Sequence, residues 1–76
     1  MLLWHRPITL YYRFEATSTD RDLVLSPIPL RDTRLAIDSV SHAGAPYSSF
    51  DGVARSVHLP AGTSGVFGVT FKYVDP

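Results

Sequence analysis

The sequence predicts an all-β fold, namely a small antiparallel β-sandwich of about six strands with an Ig-like, Greek-key or meander topology. Short runs of β-branched, aromatic and alternating apolar residues follow one another, and Gly, Pro, Asp and Ser separate them. No apolar pattern with a 3.6-residue period is long enough for a helix of ordinary length. A small β-barrel is the alternative arrangement for strands of this number and spacing.

The first predicted strand has the clearest two-residue alternation, with apolar or small side chains on one face and mostly polar side chains on the other. We expect the first face to enter the core and the second to meet solvent or a partner. The predicted inward set is Ile8, Leu10, Tyr12, Phe14 and Ala16, and the outward set is Thr9, Tyr11, Arg13, Glu15 and Thr17.

The next apolar segment follows a polar connection at residues 18–22. Residues 23–25, Leu-Val-Leu, form a short continuous apolar run that is typical of a strand buried on both faces. Pro27 and Pro29 cannot donate backbone hydrogen bonds to a sheet, so residues 26–30 are predicted to form an edge strand or an extended crossing between sheets.

The second half of the chain predicts four consecutive strands that would form a meander, at residues 35–40, 47–50, 53–59 and 66–74. The pair Asp51-Gly52 predicts a type I′ turn, because such a turn needs positive φ at both central residues. This turn would join the second of the four strands to the third.

The core can be predicted from side-chain parity within these strands. Leu35 and Ile37 share a parity that Val40 lacks, and a β-bulge near Asp38 and Ser39 would restore it. The predicted core comprises Tyr12, Phe14, Leu23, Leu25, Leu35, Ile37, Val40, Val57, Leu59, Phe67, Val69 and Phe71.

Length and composition limit the classes of protein to which the chain can belong. We expect residues 1–76 to form a single β-sandwich domain, with residues 1–6 as a linker or docking segment. A domain of this size has a marginal core and no cysteine to reinforce it, so docking on a neighbouring domain or subunit is expected.

Seven basic and seven acidic residues cancel, which disfavours nucleic acid as a partner. The apolar stretch at residues 1–4 is too short to span a membrane.

The sequence offers no group of residues with the spacing of an active centre or a metal site, so the domain is expected to be non-catalytic and to need no cofactor. A hydrolytic triad could be formed from Asp38, His42 and either Ser39 or Ser41, which are close in sequence. However, alternation along a strand directs successive side chains to opposite faces, and no third group is positioned. The three histidines are far apart and lack metal-ligand spacing. Asp20 and Asp22 are interpreted as a solvated turn in preference to a calcium loop.

Aromatic surface is the remaining candidate for function. Trp4, Tyr11 and Tyr47 are not needed to complete the predicted core, and Arg13 and Glu15 lie on the outward face beside Tyr11. Aromatic rings next to charged groups can hold a sugar ring or can dock on a neighbouring domain. Asn and Gln, which commonly bind sugar hydroxyls, are absent, and this favours the docking surface over a glycan site.

The pattern at residues 35–51 and 57–62 resembles that of the accessory β-sandwich modules of glycoside hydrolases and polysaccharide lyases. A strand, a glycine turn, the short segment Ser-Phe-Asp and a strand ending in His-Leu-Pro-Ala-Gly follow in that order. Ala43 stands before the turn glycine, where Asn is common in those modules. Similar patterns also occur in the β-sandwich domain of zinc aminopeptidases and in bacterial surface sandwiches.

The resemblance implies a non-catalytic accessory module of a carbohydrate-active enzyme, which supports the catalytic domain or forms one wall of its cleft. Trp4, Tyr11, Arg13, Glu15 and Tyr47 would then lie at or near the contact, with the neighbouring domain and a glycan as the expected partners. The alternative is a free-standing binding or assembly module, such as a surface or virion-like sandwich, that oligomerises through an edge strand.

Overall fold

The computed structural model describes residues 6–26 and 35–74, and it contains seven β-strands and no helix in these ranges. Within the same ranges there is accordingly no helix with the length and hydropathy needed to cross a membrane. The strands are β1 (Ile8–Phe14), β2 (Arg21–Val24), β3 (Leu35–His42), β4 (Ala45–Pro46), β5 (Phe50–Asp51), β6 (Ser56–Leu59) and β7 (Gly65–Tyr73).

The strands form two antiparallel sheets that share one hydrophobic core. The larger sheet has the order β1-β7-β3-β4, and the smaller sheet has the order β2-β6-β5. The predicted all-β, sandwich-like architecture is therefore confirmed, and the sheets do not close into a barrel. The continuous meander is wrong, because the chain leaves the larger sheet after β4 and returns only as β7, which lies between β1 and β3.

The predicted core is confirmed in its membership. Nine of the twelve residues are buried and belong to the shared cluster, and the other three are half-buried and pack against it. The burial of β1 alternates along its whole length, as predicted. The buried nine are Leu25, Leu35, Ile37, Val40, Val57, Leu59, Phe67, Val69 and Phe71, and the half-buried three are Tyr12, Phe14 and Leu23.

The apolar run at residues 23–25 is not buried on both faces. Leu23 and Leu25 point towards the core, whereas Val24 is 67% exposed on the outer face of the smaller sheet. Continuous apolar runs are typical of strands whose two faces are both covered by other elements. The outer face at Val24 is open to solvent, so the prediction is wrong for this residue. The prediction for residues 26–30 lies outside the described residues, apart from Ser26.

The β-bulge predicted in β3 is confirmed at Asp38. Ile37 pairs with Phe71 and Ser39 pairs with Thr70, so one extra residue separates two adjacent partners on β7. The bulge returns Val40 to the core and leaves Ser39 and Ser41 on the outer face of the larger sheet.

The hairpin at Asp51-Gly52 is longer than predicted. Asp51 pairs with Ser56, which leaves residues 52–55 as a four-residue loop, and Gly52 has no positive φ. Arg55 takes the left-handed conformation instead, with φ of 57°. A Cβ atom at Gly52 would lie 2.6 Å from the carbonyl oxygen of Ile37. Glycine is therefore required here because β3 approaches closely, and the predicted type I′ turn is wrong.

A type I′ turn occurs instead at Ala43-Gly44, which joins β3 to β4. His42 pairs with Ala45 across this two-residue loop, and φ is 53° at Ala43 and 80° at Gly44. Positive φ at both central residues matches the right-handed twist of the flanking strands. Ala43 has a Cβ atom in a region that is unfavourable for most L-residues, so the turn is strained at this position.

Replacing Ala43 with asparagine should stabilise the protein by about 1 kcal/mol, because asparagine tolerates the left-handed conformation and alanine does not. The measurement is the urea midpoint followed by far-ultraviolet circular dichroism. Ala45→Asn is the matched control, because Ala45 is an exposed strand residue without positive φ and asparagine disfavours strands. Equal effects of the two substitutions would contradict the assigned turn.

The two edges of the larger sheet differ in how their backbone groups are paired. On the β3 side, Tyr47 N–H donates to the Val40 carbonyl at 2.9 Å, and Ile37 N–H donates to the Gly52 carbonyl at 3.0 Å. The Arg55 guanidinium also donates to the Leu35 carbonyl at 3.0 Å. The β1 edge has β7 as its only paired strand within the described ranges.

Candidate functional site

The outer face of the larger sheet carries the candidate site, and strand pairing sets its side chains in rows. One row crosses the sheet through Thr9, Thr70 and Ser39, and it places three hydroxyl groups side by side. Thr9 Oγ1 and Thr70 Oγ1 lie 2.9 Å apart and share a hydrogen bond. This row results from the register of β1 and β3 on β7, with the bulge at Asp38 bringing Ser39 into line.

The next row contains Tyr11, Gly68, Ser41 and Pro46. The Tyr11 side chain is 74% exposed, yet its ring lies over the backbone of Gly68. A Cβ atom at Gly68 would lie 3.0 Å from Tyr11 Cε1 and 2.9 Å from Ser41 Oγ. Glycine in the central strand thus creates the space in which the ring rests.

These two rows form a shallow open groove with a volume of about 430 Å³. Its size falls within the range of small-molecule sites, which is about 300–1,000 Å³. The Ser41 hydroxyl donates a long hydrogen bond of 3.5 Å to the Gly68 carbonyl. The principal lining residues are Thr9, Tyr11, Ser39, Ser41, Gly68 and Thr70.

Charged groups flank the groove at both ends. Arg13 follows Tyr11 on the outward face of β1, opposite Val66 of β7. At the other end, Lys72 Nζ lies 3.5 Å from Asp38 Oδ1, so the ammonium and the carboxylate largely neutralise each other. Glu15 lies beyond the end of β1, where its carbonyl oxygen accepts a 2.5 Å hydrogen bond from the Arg21 guanidinium.

Tyr47 does not lie with Tyr11, and the expectation that the core does not need its ring is wrong. The ring packs edge-on against Phe67, with centroids 5.0 Å apart, and belongs to the half-buried shell of the core. Its hydroxyl donates to the His58 carbonyl of the smaller sheet at 2.6 Å. Burial raises the pKa of the Tyr47 phenol above its ordinary value. Tyr47 therefore links the two sheets.

Trp4, the remaining predicted contact residue, lies outside the described residues, as does the predicted docking segment apart from Arg6. Tyr11, Arg13 and Glu15 follow one another on β1 and just beyond it. Of the predicted residues that the structure describes, only Tyr11 lines the groove.

Asp38, Ser41 and His42 do not converge. Asp38 and Ser41 lie on the outer face, whereas the His42 ring stacks on Phe67 with centroids 4.1 Å apart. His42 Nε2 lies 2.9 Å from the Ser64 carbonyl oxygen, and a carbonyl can only accept, so this nitrogen carries a proton. The ring thus has a packing role, and its Nε2 proton is already donated to the backbone.

The acidic residues considered for calcium also diverge. Asp20 Oδ1 accepts a hydrogen bond from Ala61 N–H at 2.8 Å, and Asp22 Oδ1 pairs with His58 Nδ1 at 2.7 Å across β2 and β6. Among residues 6–26 and 35–74, no three His, Cys, Asp or Glu side chains are grouped as metal ligands.

Sequence reasoning missed the hydroxyl groups and Gly68. The parity of the strands places Thr9 and Thr70 on outward faces, but only the register between β1 and β7 makes them neighbours. A glycine within a strand often marks the close approach of another group. Gly68 lies within the final predicted strand, so the sequence contained this signal.

No protein-family model, no curated protein and no solved structure matches this chain.

Proposed function

We propose that this chain is a non-catalytic accessory β-sandwich module of a carbohydrate-active enzyme, and that it contacts its partner through the outer face of the larger sheet. The observation that carries the proposal is Tyr11, which is 74% exposed and rests over Gly68 beside a row of hydroxyl groups. On this proposal the module supports the catalytic domain or forms one wall of its substrate cleft.

The chemistry of this face suits a contact surface. Tyrosine presents an apolar ring and a polar hydroxyl group, and it is enriched where proteins meet partners. The Tyr11 ring lies outside the shared core, and most of its surface stays exposed although it covers Gly68. The Tyr11 ring can pack against a partner, and the hydroxyl groups and the nearby Arg13 guanidinium can form hydrogen bonds with it.

Immunoblotting of source-cell extracts tests whether the chain belongs to a larger enzyme. We expect an antibody raised against residues 35–74 to detect a polypeptide well above 8.4 kDa, or a stable complex in which mass spectrometry identifies a carbohydrate-active enzyme. A free 8.4 kDa polypeptide that brings down no such enzyme would contradict the proposal.

Assembly through an edge strand is the second candidate function, and the unequal edges of the larger sheet favour it. An unpaired edge is a template for pairing with another chain. The outer side of β3 is covered by the short strand β4 and by further backbone and side-chain hydrogen bonds, whereas β1 pairs only with β7 within the described ranges. Light scattering at micromolar concentration should then show a dimer or larger species, and a monomer alone would exclude it.

A further inference from the structure

The groove around Tyr11 combines an aromatic ring with hydroxyl groups, and no single strand could supply this arrangement. Tyr11 comes from β1, Gly68 from β7 and Ser41 from β3, and all three lie in one row across the sheet. One side of the Tyr11 ring rests over Gly68, which leaves the opposite side open to solvent. Such a ring can pack against the apolar C–H face of a sugar.

Gly68 acts as a positioning residue for this ring. An added methyl group would lie 3.0 Å from Tyr11 Cε1 and 2.9 Å from Ser41 Oγ, so the ring or the hydroxyl would have to move. The absence of a side chain at Gly68 therefore allows the Tyr11 ring to lie close to the sheet, beside the hydroxyl row.

The hydroxyl groups of the groove can bind sugar hydroxyls in either direction. Each serine or threonine hydroxyl has one proton and two acceptor lone pairs. The Thr9–Thr70 hydrogen bond uses only one of the two protons of that pair, so the other remains free to donate. The chain contains no Asn or Gln, whose amide groups commonly bind sugar hydroxyls. The serine and threonine hydroxyls of the groove can make such hydrogen bonds instead.

The charge of the groove selects among glycans. The nine residues that line the groove include no Asp, Glu, Lys, Arg or His. Lys72 beside the groove lies 3.5 Å from Asp38, and the exposed Arg13 at the opposite end does not line the groove. This composition favours a neutral glycan over a uronate polymer.

We infer that the groove is a binding subsite for a neutral pyranose glycan, whose ring packs on Tyr11 while Thr9, Thr70 and Ser41 bind its hydroxyls. This inference rests on the proposed function and specifies its ligand. The groove volume of about 430 Å³ suits a short stretch of a longer chain.

The test is a titration of the ¹⁵N-labelled full chain with cellohexaose, xylohexaose and mannohexaose, with hexagalacturonate as the acidic comparison. We expect at least one neutral oligosaccharide to shift the amide signals of Gly68, Thr70 and Ser41. Tyr11→Ser should weaken binding about tenfold, because it removes the aromatic packing surface. Tyr11→Phe should keep most of the affinity, because the ring remains.

Val53→Ser is the matched control, since Val53 is 87% exposed in the β5–β6 loop and does not line the groove. Gly68→Ala should weaken binding without unfolding the protein, which circular dichroism checks. The inference is overturned if no neutral oligosaccharide shifts the groove signals at millimolar concentration, if Tyr11→Ser binds as well as the control, or if hexagalacturonate binds preferentially.

The two proposals fail in different ways. Absence of glycan binding by a chain that belongs to a larger carbohydrate-active enzyme overturns the glycan subsite alone. A free 8.4 kDa polypeptide without an enzyme partner overturns the accessory-module proposal, whatever the titration shows.

Discussion

Phe67→Ala should cost about 3–5 kcal/mol of the free energy of unfolding, as expected when a fully buried phenylalanine leaves a cavity. Phe67 is 0% exposed and is the centre of an aromatic cluster. His42 stacks on it at 4.1 Å, and Phe14 and Tyr47 pack edge-on at 5.2 Å and 5.0 Å. The Tyr47 hydroxyl also donates a hydrogen bond to His58 of the smaller sheet. Loss of the Phe67 ring, against which Tyr47 packs, should therefore weaken the contact between the two sheets.

That loss is a large share of the stability of a domain this small, since folded domains have about 0.05–0.15 kcal/mol per residue, or roughly 4–11 kcal/mol for 76 residues. We therefore expect Phe67→Ala to unfold at a much lower urea concentration than the parent protein, as measured by circular dichroism. Val53→Ala is the control, and its effect should stay within about 0.5 kcal/mol because Val53 is exposed in a loop. A Phe67→Ala protein as stable as this control would contradict the packing.

Gly52→Ala and Gly52→Asn should both destabilise the protein by about 1–3 kcal/mol, the usual cost of forcing extra atoms into a closely packed site. A Cβ atom of either residue would lie 2.6 Å from the Ile37 carbonyl oxygen. The resulting shift would also weaken the 3.0 Å hydrogen bond from Ile37 N–H to the Gly52 carbonyl. Urea midpoints of the two variants measure the effect.

The asparagine variant separates two explanations for the glycine. If Gly52 were needed for positive φ, asparagine would be tolerated much better than alanine. Gly62→Asn is the matched control, because Gly62 has φ of 84° and open space around its Cβ position. We expect the urea midpoint of this control to remain close to that of the parent protein. A Gly52→Asn protein as stable as the control would contradict the close approach of β3.

Side-chain alternation was sufficient to predict the fold class, the core and the bulge. The alternation of β1 and the mismatch of Val40 with Leu35 and Ile37 are local patterns, and a strand must obey them wherever it lies in a sheet. Strand order was not predictable in the same way, because it depends on which strands the chain brings together across long sequence separations. β7 therefore could not be placed between β1 and β3 from sequence.

The turns show why a dipeptide can be ambiguous. Asp51-Gly52 has the composition of a type I′ turn, but its glycine serves the close approach to Ile37. Ala43-Gly44 lacks the usual asparagine and nevertheless adopts positive φ at both residues. The close approach of β3 decides the outcome at Gly52, and that contact is not encoded in the dipeptide.

The candidate site was predictable only in part. Tyr11 and Arg13 could be assigned to an outward face by parity, whereas Tyr47 was misplaced because its ring turns inward from an irregular segment after β4. The groove itself depends on the register that sets Tyr11 opposite Gly68. Pairwise register is a tertiary property, and this is why the hydroxyl row was missed.

Both proposals depend on the position of Tyr11 over Gly68 on the outer face of the larger sheet. A nuclear Overhauser measurement on the full chain in solution tests this position. Cross-peaks between the Tyr11 ring protons and the α-protons of Gly68 are the predicted result. Their absence, together with cross-peaks from the Tyr11 ring to the buried Phe67 ring, would show that Tyr11 faces the core and would contradict both proposals.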